Sequence, residues 1–373
     1  MKKKNIWMIL GIVVILLIVI GIVYLGKLGN DNTIKIGASL PLSGQNAVYG
    51  IEIQNAIELA RGEINSQGGI NGKKLEIIYE DDKADVSTGI NVINKLVNID
   101  NVPVVLGSWA SGVVVAQAPI AEKNKVIILA DALSPAITNA GDYIFRIQPS
   151  AVYYTSVATE FLIEHNMNKS AVIYVNNEFG KSLKDSFVSD FESRGGKVVA
   201  IESYSQGDTD FRAQLIKIKN KNPDVIFIPG YQDTIEVIKQ VNELGIKSKI
   251  LAGPPYESKS TTEKLGKLAE GVLYPSHFVL ERGNEKTKQY EKEYLARYNI
   301  KTGPYAPLMY DATYIIAEAL QKCDKDTDCI KDELYSMKYS GVSGDISFDS
   351  FGDPHMPIYM KTVKNGEFIE YSE

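Results

Sequence analysis

The feature that most constrains this chain is an alternation of short apolar strands with helices that runs through once and then begins again. Residues 33–38 read as a strand, with Ile34, Ile36 and Ala38 alternating along it. A helical pattern over residues 49–65 follows and stops at Gly68-Gly69, a usual helix ending. Residues 75–79, 102–106 and 126–130 read as strands, and residues 87–98 and 112–123 as helices. After Gln148-Pro149 the pattern restarts. Helices over 152–165, 181–194, 211–221 and 234–244 alternate with strands over 171–175, 197–202, 225–229 and 249–252. The C-terminal third adds helices over 285–298 and 307–322 and short strands near 358–363. Continuous apolar strands between helices imply parallel sheets covered on both faces. No Pro-, Gly- or Ser-rich linker separates the two units. The expectation is an α/β protein of two lobes joined by tight crossings, with the tail shared between them.

Composition narrows the function. In 373 residues, 45% are hydrophobic and 23% charged, near the average for globular domains, which excludes disordered, collagenous and multi-span membrane classes. The net charge of -6 is spread without a basic block, so nucleic acid is not an expected partner. Three His and two Cys leave little for a zinc cluster or a His-based catalytic apparatus, and no metal or cofactor is expected. At the N-terminus, Lys2, Lys3 and Lys4 precede an uncharged apolar run over residues 6–25, long enough to cross a bilayer as a helix. The lysines favour a cytoplasmic start, with the rest of the chain outside. Residues 1–30 are therefore expected to be an uncleaved membrane anchor, with a cleaved signal as the alternative. Outside the cell, Cys323 and Cys329 are free to form a disulfide. The acidic loop between them, with Asp324, Asp326 and Asp328, also admits a calcium reading, but lacks the Gly and distal Glu of an EF-hand loop.

In open α/β sheets, ligands bind beyond the carboxyl ends of the strands. In the first unit those ends are Pro41-Leu42-Ser43-Gly44, Gly107-Ser108-Trp109-Ala110-Ser111 and Asp131-Ala132-Leu133-Ser134. In the second they are Asn177-Glu178-Phe179-Gly180, Pro229-Gly230-Tyr231-Gln232 and Gly253-Pro254-Pro255-Tyr256. The first set is rich in Ser just before helix starts, where hydroxyls and backbone N–H groups make an anion seat. A Ser in such a place is often only a helix cap, so the repetition counts for more than any single residue. The second set is rich in aromatics. A small ligand with an anionic end and an apolar end fits between them.

Enzyme signatures fail. Asn177-Glu178-Phe179-Gly180-Lys181-Ser182 ends like a phosphate-binding loop, but Val175 stands where its opening Gly is required. Residues 107–112 lack the spacing of a nucleophile elbow. His165, His277 and His355 are far apart in sequence, and nothing favours a triad. Asp81-Asp82 after a strand reads as a solvated pair. An enzyme is not expected.

The stretches IKIGASLPLSGQNAVYG, AIELARGEINSQGGINGKKLEIIYEDDKAD, VPVVLGSWASG, DTDFRAQLIKIKNKNPDVIFIPGY and YDATYIIAEAL are similar to the leucine/isoleucine/valine-binding proteins, the solute receptors of branched-chain amino-acid ABC importers. The resemblance spans residues 33–373. It implies a type I periplasmic-binding-protein fold with a three-segment hinge, closing on a ligand. Lobe 1 would hold residues 31–149 and about 279–355, and lobe 2 residues 150–278 and about 356–373. The resemblance places the ligand carboxylate on Ser111, backbone and hydroxyl contacts on Ala132 and Ser134, a first-lobe ring on Tyr49, and second-lobe rings on Phe179 and Tyr231. The Glu that pairs with the ligand ammonium falls on Pro255, which has no charge. Glu257, Asp131 or Asp233 would have to substitute, or the ligand is an amide, urea or small carboxylate. The implied partner is an ABC permease and the expected state a monomer. A membrane-tethered sensor using the same trap is the rival reading, although residues 1–5 leave no room for a cytoplasmic output domain.

Overall fold

The computed structural model describes residues 32–372; the expected N-terminal anchor lies outside them. Among the described residues no helix is long and apolar enough to cross a membrane. The first sheet is built from β1 (Thr33–Leu40), β2 (Lys74–Asp81), β3 (Val104–Gly107), β4 (Ile127–Ala130) and β5 (Ile144–Arg146), in the order β2-β1-β3-β4-β5 and parallel throughout. Its helices are α1 (Ala47–Ser66), α2 (Val86–Asn98) and α3 (Ser111–Lys123). Strand residues alternate between two cores, as a pleated sheet covered on both faces requires. Val104, Leu106, Ile127 and Leu129 face α1 residues such as Ile53 and Ile57. Val105, Ile128 and Ala130 face Ile93 and Leu96 of α2 and Val114 and Ala118 of α3.

After α4 (Ala151–Glu164) the chain builds a second sheet from β6 (Lys169–Val175), β7 (Lys197–Tyr204), β8 (Val225–Ile228), β9 (Lys249–Ala252) and β10 (Leu273–Ser276). Helices α5 (Glu178–Ser193), α6 (Arg212–Lys219), α7 (Thr234–Glu243) and α8 (Lys259–Leu265) alternate with these strands. The chain then returns to the first unit. There α9 (Glu285–Tyr298) and α10 (Tyr305–Cys323) pack Tyr290, Tyr294, Ala306 and Tyr310 on Ala56, Leu59 and Ala60 of α1. Next come α11 (Thr327–Ser336) and a hairpin of β11 (Lys338–Ser340) and β12 (Asp345–Ser347). Finally β13 (Tyr359–Lys364) and β14 (Glu367–Glu370) add antiparallel strands to the second sheet, whose order is β14-β13-β10-β9-β8-β6-β7. The chain thus passes between the sheets three times, near residues 147–150, 277–284 and 349–358.

The sequence pattern locates most elements to within a few residues. It does not give β5, β10, β14, helix α8, helix α11 or the β11–β12 hairpin: these strands are short and not uniformly apolar, and α8 and α11 bury too few apolar side chains to mark a face. Asp82 is buried, not solvated: it accepts hydrogen bonds from Ser39 Oγ at 2.9 Å and from the Ala84 amide at 2.8 Å. Its neighbour Asp81 takes the Leu42 amide at 2.9 Å. Both carboxylates fix the loop after β1, so the pair is structural. Cys323 and Cys329 are joined as a disulfide, with Cα atoms 5.6 Å apart. The carboxylates between them are used separately: Asp326 accepts from the Asp328 and Cys329 amides at the start of α11, and Asp328 pairs with Lys125 at 2.8 Å.

The third crossing is pinned by charge. Arg146 at the end of β5 is fully buried and donates to Asp353 Oδ2 at 2.7 Å, to the Ser134 carbonyl at 2.9 Å and to Thr138 Oγ1. A buried cation that loses its partner carries the full desolvation cost. Asp353→Asn should therefore lower unfolding stability by about 3 kcal/mol, read by chemical denaturation.

Candidate functional site

The helix after the first strand of each sheet starts in the same way. In α1 a Cβ on Gly50 would come within 2.1 Å of the Pro41 carbonyl oxygen, and in α5 a Cβ on Gly180 would come within 2.0 Å of the Val175 carbonyl oxygen. Only glycine lets these helix starts press onto the end of the preceding strand. The residue before each glycine is aromatic: Tyr49 and Phe179. The close approach carries both rings into the seam where the two sheets present their strand ends.

The rings meet there. Tyr49 stacks on Trp109 at 4.3 Å between centroids, Trp109 lies 5.1 Å from Tyr231, and Tyr231 stacks on Phe179 at 4.5 Å. Tyr305, at the start of α10, stands edge-on to Tyr49 at 5.9 Å and to Trp109 at 5.7 Å. The line Tyr49–Trp109–Tyr231–Phe179 crosses from the first unit to the second, and all four rings are buried. Hydrogen bonds cross with it. Tyr49 Oη donates to the Pro255 carbonyl at 2.9 Å and accepts from Gln232 Nε2 at 2.9 Å. Ser134 Oγ donates to Glu178 Oε1 at 2.6 Å and accepts from Ser182 Oγ at 3.1 Å. Position 255, where resemblance asks for a charged side chain, therefore uses its backbone oxygen to hold Tyr49.

Of the serines at the first unit's strand ends, most have local partners. Ser43 Oγ donates to Asp81 at 2.5 Å. Ser108 Oγ accepts from the Ala110 amide at 3.1 Å. Ser134 caps the turn at Pro135 and meets the second unit. Ser111 differs: it is buried at the first position of α3, and its Oγ has no hydrogen-bond partner among the described residues. The N–H groups of a first helical turn have no intrahelical partner, and the helix dipole favours an anion beside them.

The acids suggested for the lost charge are placed differently from one another. Glu257 is engaged: Lys361 of β13, itself buried, pairs with one oxygen and Ser276 Oγ donates to the other at 3.1 Å. Asp233 accepts the Tyr231 amide at 2.6 Å, which leaves its Oδ2 without a partner. Asp131, at the end of β4 and followed by the buried Ala132, is fully buried with neither oxygen partnered. Its amide donates to the Ser108 carbonyl at 3.2 Å, which ties it to the strand end that carries Trp109 and Ser111. Burial pushes its carboxyl well above the usual carboxylate range, and the charge of Glu52 adds to the effect. Glu52, on α1, accepts the Gly303 amide at 2.7 Å, and burial pushes it up to about 8. The Tyr305 hydroxyl also lacks a partner. Trp109, Gln232 and Tyr305 were not singled out from the sequence. Trp109 and Gln232 lie in the strand-end stretches already named, but Tyr305 reaches the seam from a helix about 200 residues away in sequence.

Behind the seam, His277 joins two crossings. Its Nδ1 bonds Tyr154 Oη, which also accepts from Gln148, and its Nε2 faces the Pro304 carbonyl at 2.9 Å. Burial lowers its pKa to about 4, against its ordinary 6.5. A histidine held neutral in the fold takes up protons on unfolding, so its contribution is complete above about pH 6.5 and is lost as pH falls toward 4. The wild type should lose about 3 kcal/mol across that window, and His277→Gln should flatten the slope in denaturation measured from pH 7 to pH 4.

The periplasmic binding protein family matches residues 33–367. Leu/Ile/Val-binding protein homolog 1 of Brucella suis is 29% identical over 336 residues, covering 88% of this chain and 89% of its own. The branched-chain amino acid transporter substrate binding protein LivJ of Streptococcus pneumoniae, solved in complex with isoleucine, superposes with a TM-score of 0.84 at 30% identity, over 91% of this chain and 99% of its own. A solute binding protein of an ABC transporter from Rhodopseudomonas palustris, solved in complex with 3,4-dihydroxybenzoic acid, superposes with a TM-score of 0.81 at 25% identity, over 91% of this chain and 97% of its own.

Proposed function

Because this chain belongs to the periplasmic binding protein family, we propose that it captures a small amino acid, branched-chain ones foremost, and hands it to an ABC permease. It is a binding protein and not an enzyme. The observation that carries the ligand reading is the unpartnered, buried hydroxyl of Ser111 at the helix start that follows Trp109, the ring through which the first unit meets the second. A carboxylate satisfies that hydroxyl together with the first amides of α3. An aliphatic side chain fits against Tyr49, Trp109, Phe179 and Tyr231. Ala132 and Ser134 follow the neighbouring strand β4, and Ser134 bonds Glu178 of the second unit.

The energetics suit a transport receptor. Charge-assisted hydrogen bonds contribute roughly 1.5–3 kcal/mol each. Three or four of them, less the cost of association and closure, correspond to about micromolar affinity. The ligand shifts the balance between open and closed forms because only the closed form contacts it from both lobes. We read the lobes as residues 33–149 with 279–355 and residues 150–278 with 356–372, hinged at the three crossings. The apolar run over residues 6–25 is read as a tether that keeps the receptor at the outer membrane face near its permease, which raises its effective concentration there.

A second reading, a small aromatic carboxylate, is favoured by the run of four rings in contact, two stacked pairs joined by the tilted Trp109–Tyr231 pair. One panel separates the two. In thermal-shift measurements, leucine, isoleucine and valine should raise the melting temperature, and X-ray scattering should show the particle contracting. Shifts with hydroxybenzoates, amides or urea but with no amino acid would overturn the amino-acid reading. Ser111→Ala should weaken binding about tenfold or more, the loss of one charge-assisted hydrogen bond, with little change in the melting temperature of the free protein.

A further inference from the structure

We infer that Asp131 is the seat of the ligand's ammonium group, taking over at the end of β4 a charge that position 255 cannot supply. The inference rests on the amino-acid reading above. Its basis is a comparison of the buried acids. Asp82 accepts Ser39 Oγ and the Ala84 amide. Asp311 accepts the Val342 and Ser343 amides at 2.9 and 2.8 Å. Asp353 holds Arg146, and Glu257 holds Lys361. Glu52 accepts the Gly303 amide, and Asp233 the Tyr231 amide. Asp131 alone among these has two oxygens with no partner. A buried carboxylate in that condition is costly, and a fold keeps it only where a partner arrives from outside or the group has another use.

Its position fits a partner from outside. β3 and β4 are adjacent parallel strands, with Leu106 opposite Leu129. Two residues beyond that pair, the Asp131 amide bonds the Ser108 carbonyl. Asp131 and Ser111 therefore leave neighbouring strand ends on the side where ligands bind in such sheets. Tyr305, whose hydroxyl is also unpartnered, faces Trp109 and feels the Asp131 charge. The titratable groups around Asp131 are Glu52 of α1, Tyr154 of α4 and Tyr305 of α10. None of them is a cation. On the first unit's side, among the described residues, Ser111 and Tyr305 offer unpartnered hydroxyls and Asp131 an unpartnered carboxyl group; a ligand ammonium beside that carboxyl favours its charged form, so the set complements an α-amino acid better than a simple carboxylic acid.

The test uses the full chain, calorimetry and three ligands: leucine, 4-methylpentanoic acid, which lacks the ammonium, and isopentylamine, which lacks the carboxylate. The wild type should bind leucine at least tenfold more tightly than 4-methylpentanoic acid. Asp131→Asn, close in shape and uncharged, should weaken leucine by about 10- to 100-fold, the range for one charge-assisted hydrogen bond, while leaving 4-methylpentanoic acid within about twofold. Leucine binding unchanged in Asp131→Asn would remove Asp131 from the site while the amino-acid reading stands. Equal wild-type affinity for leucine and 4-methylpentanoic acid would overturn the ammonium seat without recourse to any variant. Wild-type binding of hydroxybenzoates but of no amino acid would overturn the reading itself, and the inference with it.

Discussion

Trp109 and Tyr231 come from strand ends more than a hundred residues apart and meet at 5.1 Å. Their contact requires both sheets to point their carboxyl edges at one seam, which parallel strand–helix units do and antiparallel meanders do not. It also requires the first helix of each unit to start hard against its strand. Gly50 and Gly180 meet that demand at the same place in both lobes. The rings they deliver, Tyr49 and Phe179, form the two ends of the stack. A side chain at either glycine would lift the helix start away from the strand and pull a ring out of the seam.

The polar groups of the seam divide into two populations with different purposes. Tyr49, Gln232, Ser134, Glu178 and Ser182 bond one another or backbone across the cleft. These contacts tie the strand ends of one sheet to those of the other. The side-chain oxygens of Ser111, Asp131 and Tyr305 have no hydrogen-bond partner among the described residues. Unmade hydrogen bonds in a buried place cost about 1–3 kcal/mol each. Such a cost is relieved by a ligand that supplies the missing partners. This is how a receptor gains discrimination between occupied and empty states from groups that destabilise it.

The crossings carry their own restraint. His277 is held between Tyr154 and the Pro304 carbonyl, Lys361 between Glu257 and the Phe278 carbonyl, and Arg146 between Asp353 and the Ser134 carbonyl. Each ties one passage of the chain to a lobe. The last two links put β13 and the third crossing in register with the sheets they join. Glu257 thereby has a structural use that its nearness to the site in sequence does not disclose.

Periodicity alone was enough to identify the two α/β units, because each long helix and buried strand repeats its apolar residues often enough to declare its type. The strand-end stretches were legible for the same reason, since a parallel sheet has only one edge at which a ligand can sit. Resemblance supplied Tyr49, Phe179 and Tyr231 as ring positions, and in the fold these three meet through Trp109. The state of each side chain was not legible. Ser43, Ser108, Ser111 and Ser134 look alike in sequence, yet only Ser111 lacks a partner. Asp81-Asp82, Asp131, Asp233 and Glu257 are equally acidic, yet their partners range from a buried lysine to none. Tyr305 enters from a distant helix that packs on α1. Pattern determines which elements form, because hydrophobic burial is local and periodic. Tertiary packing decides which polar groups are satisfied, because hydrogen-bond partners come from segments hundreds of residues apart.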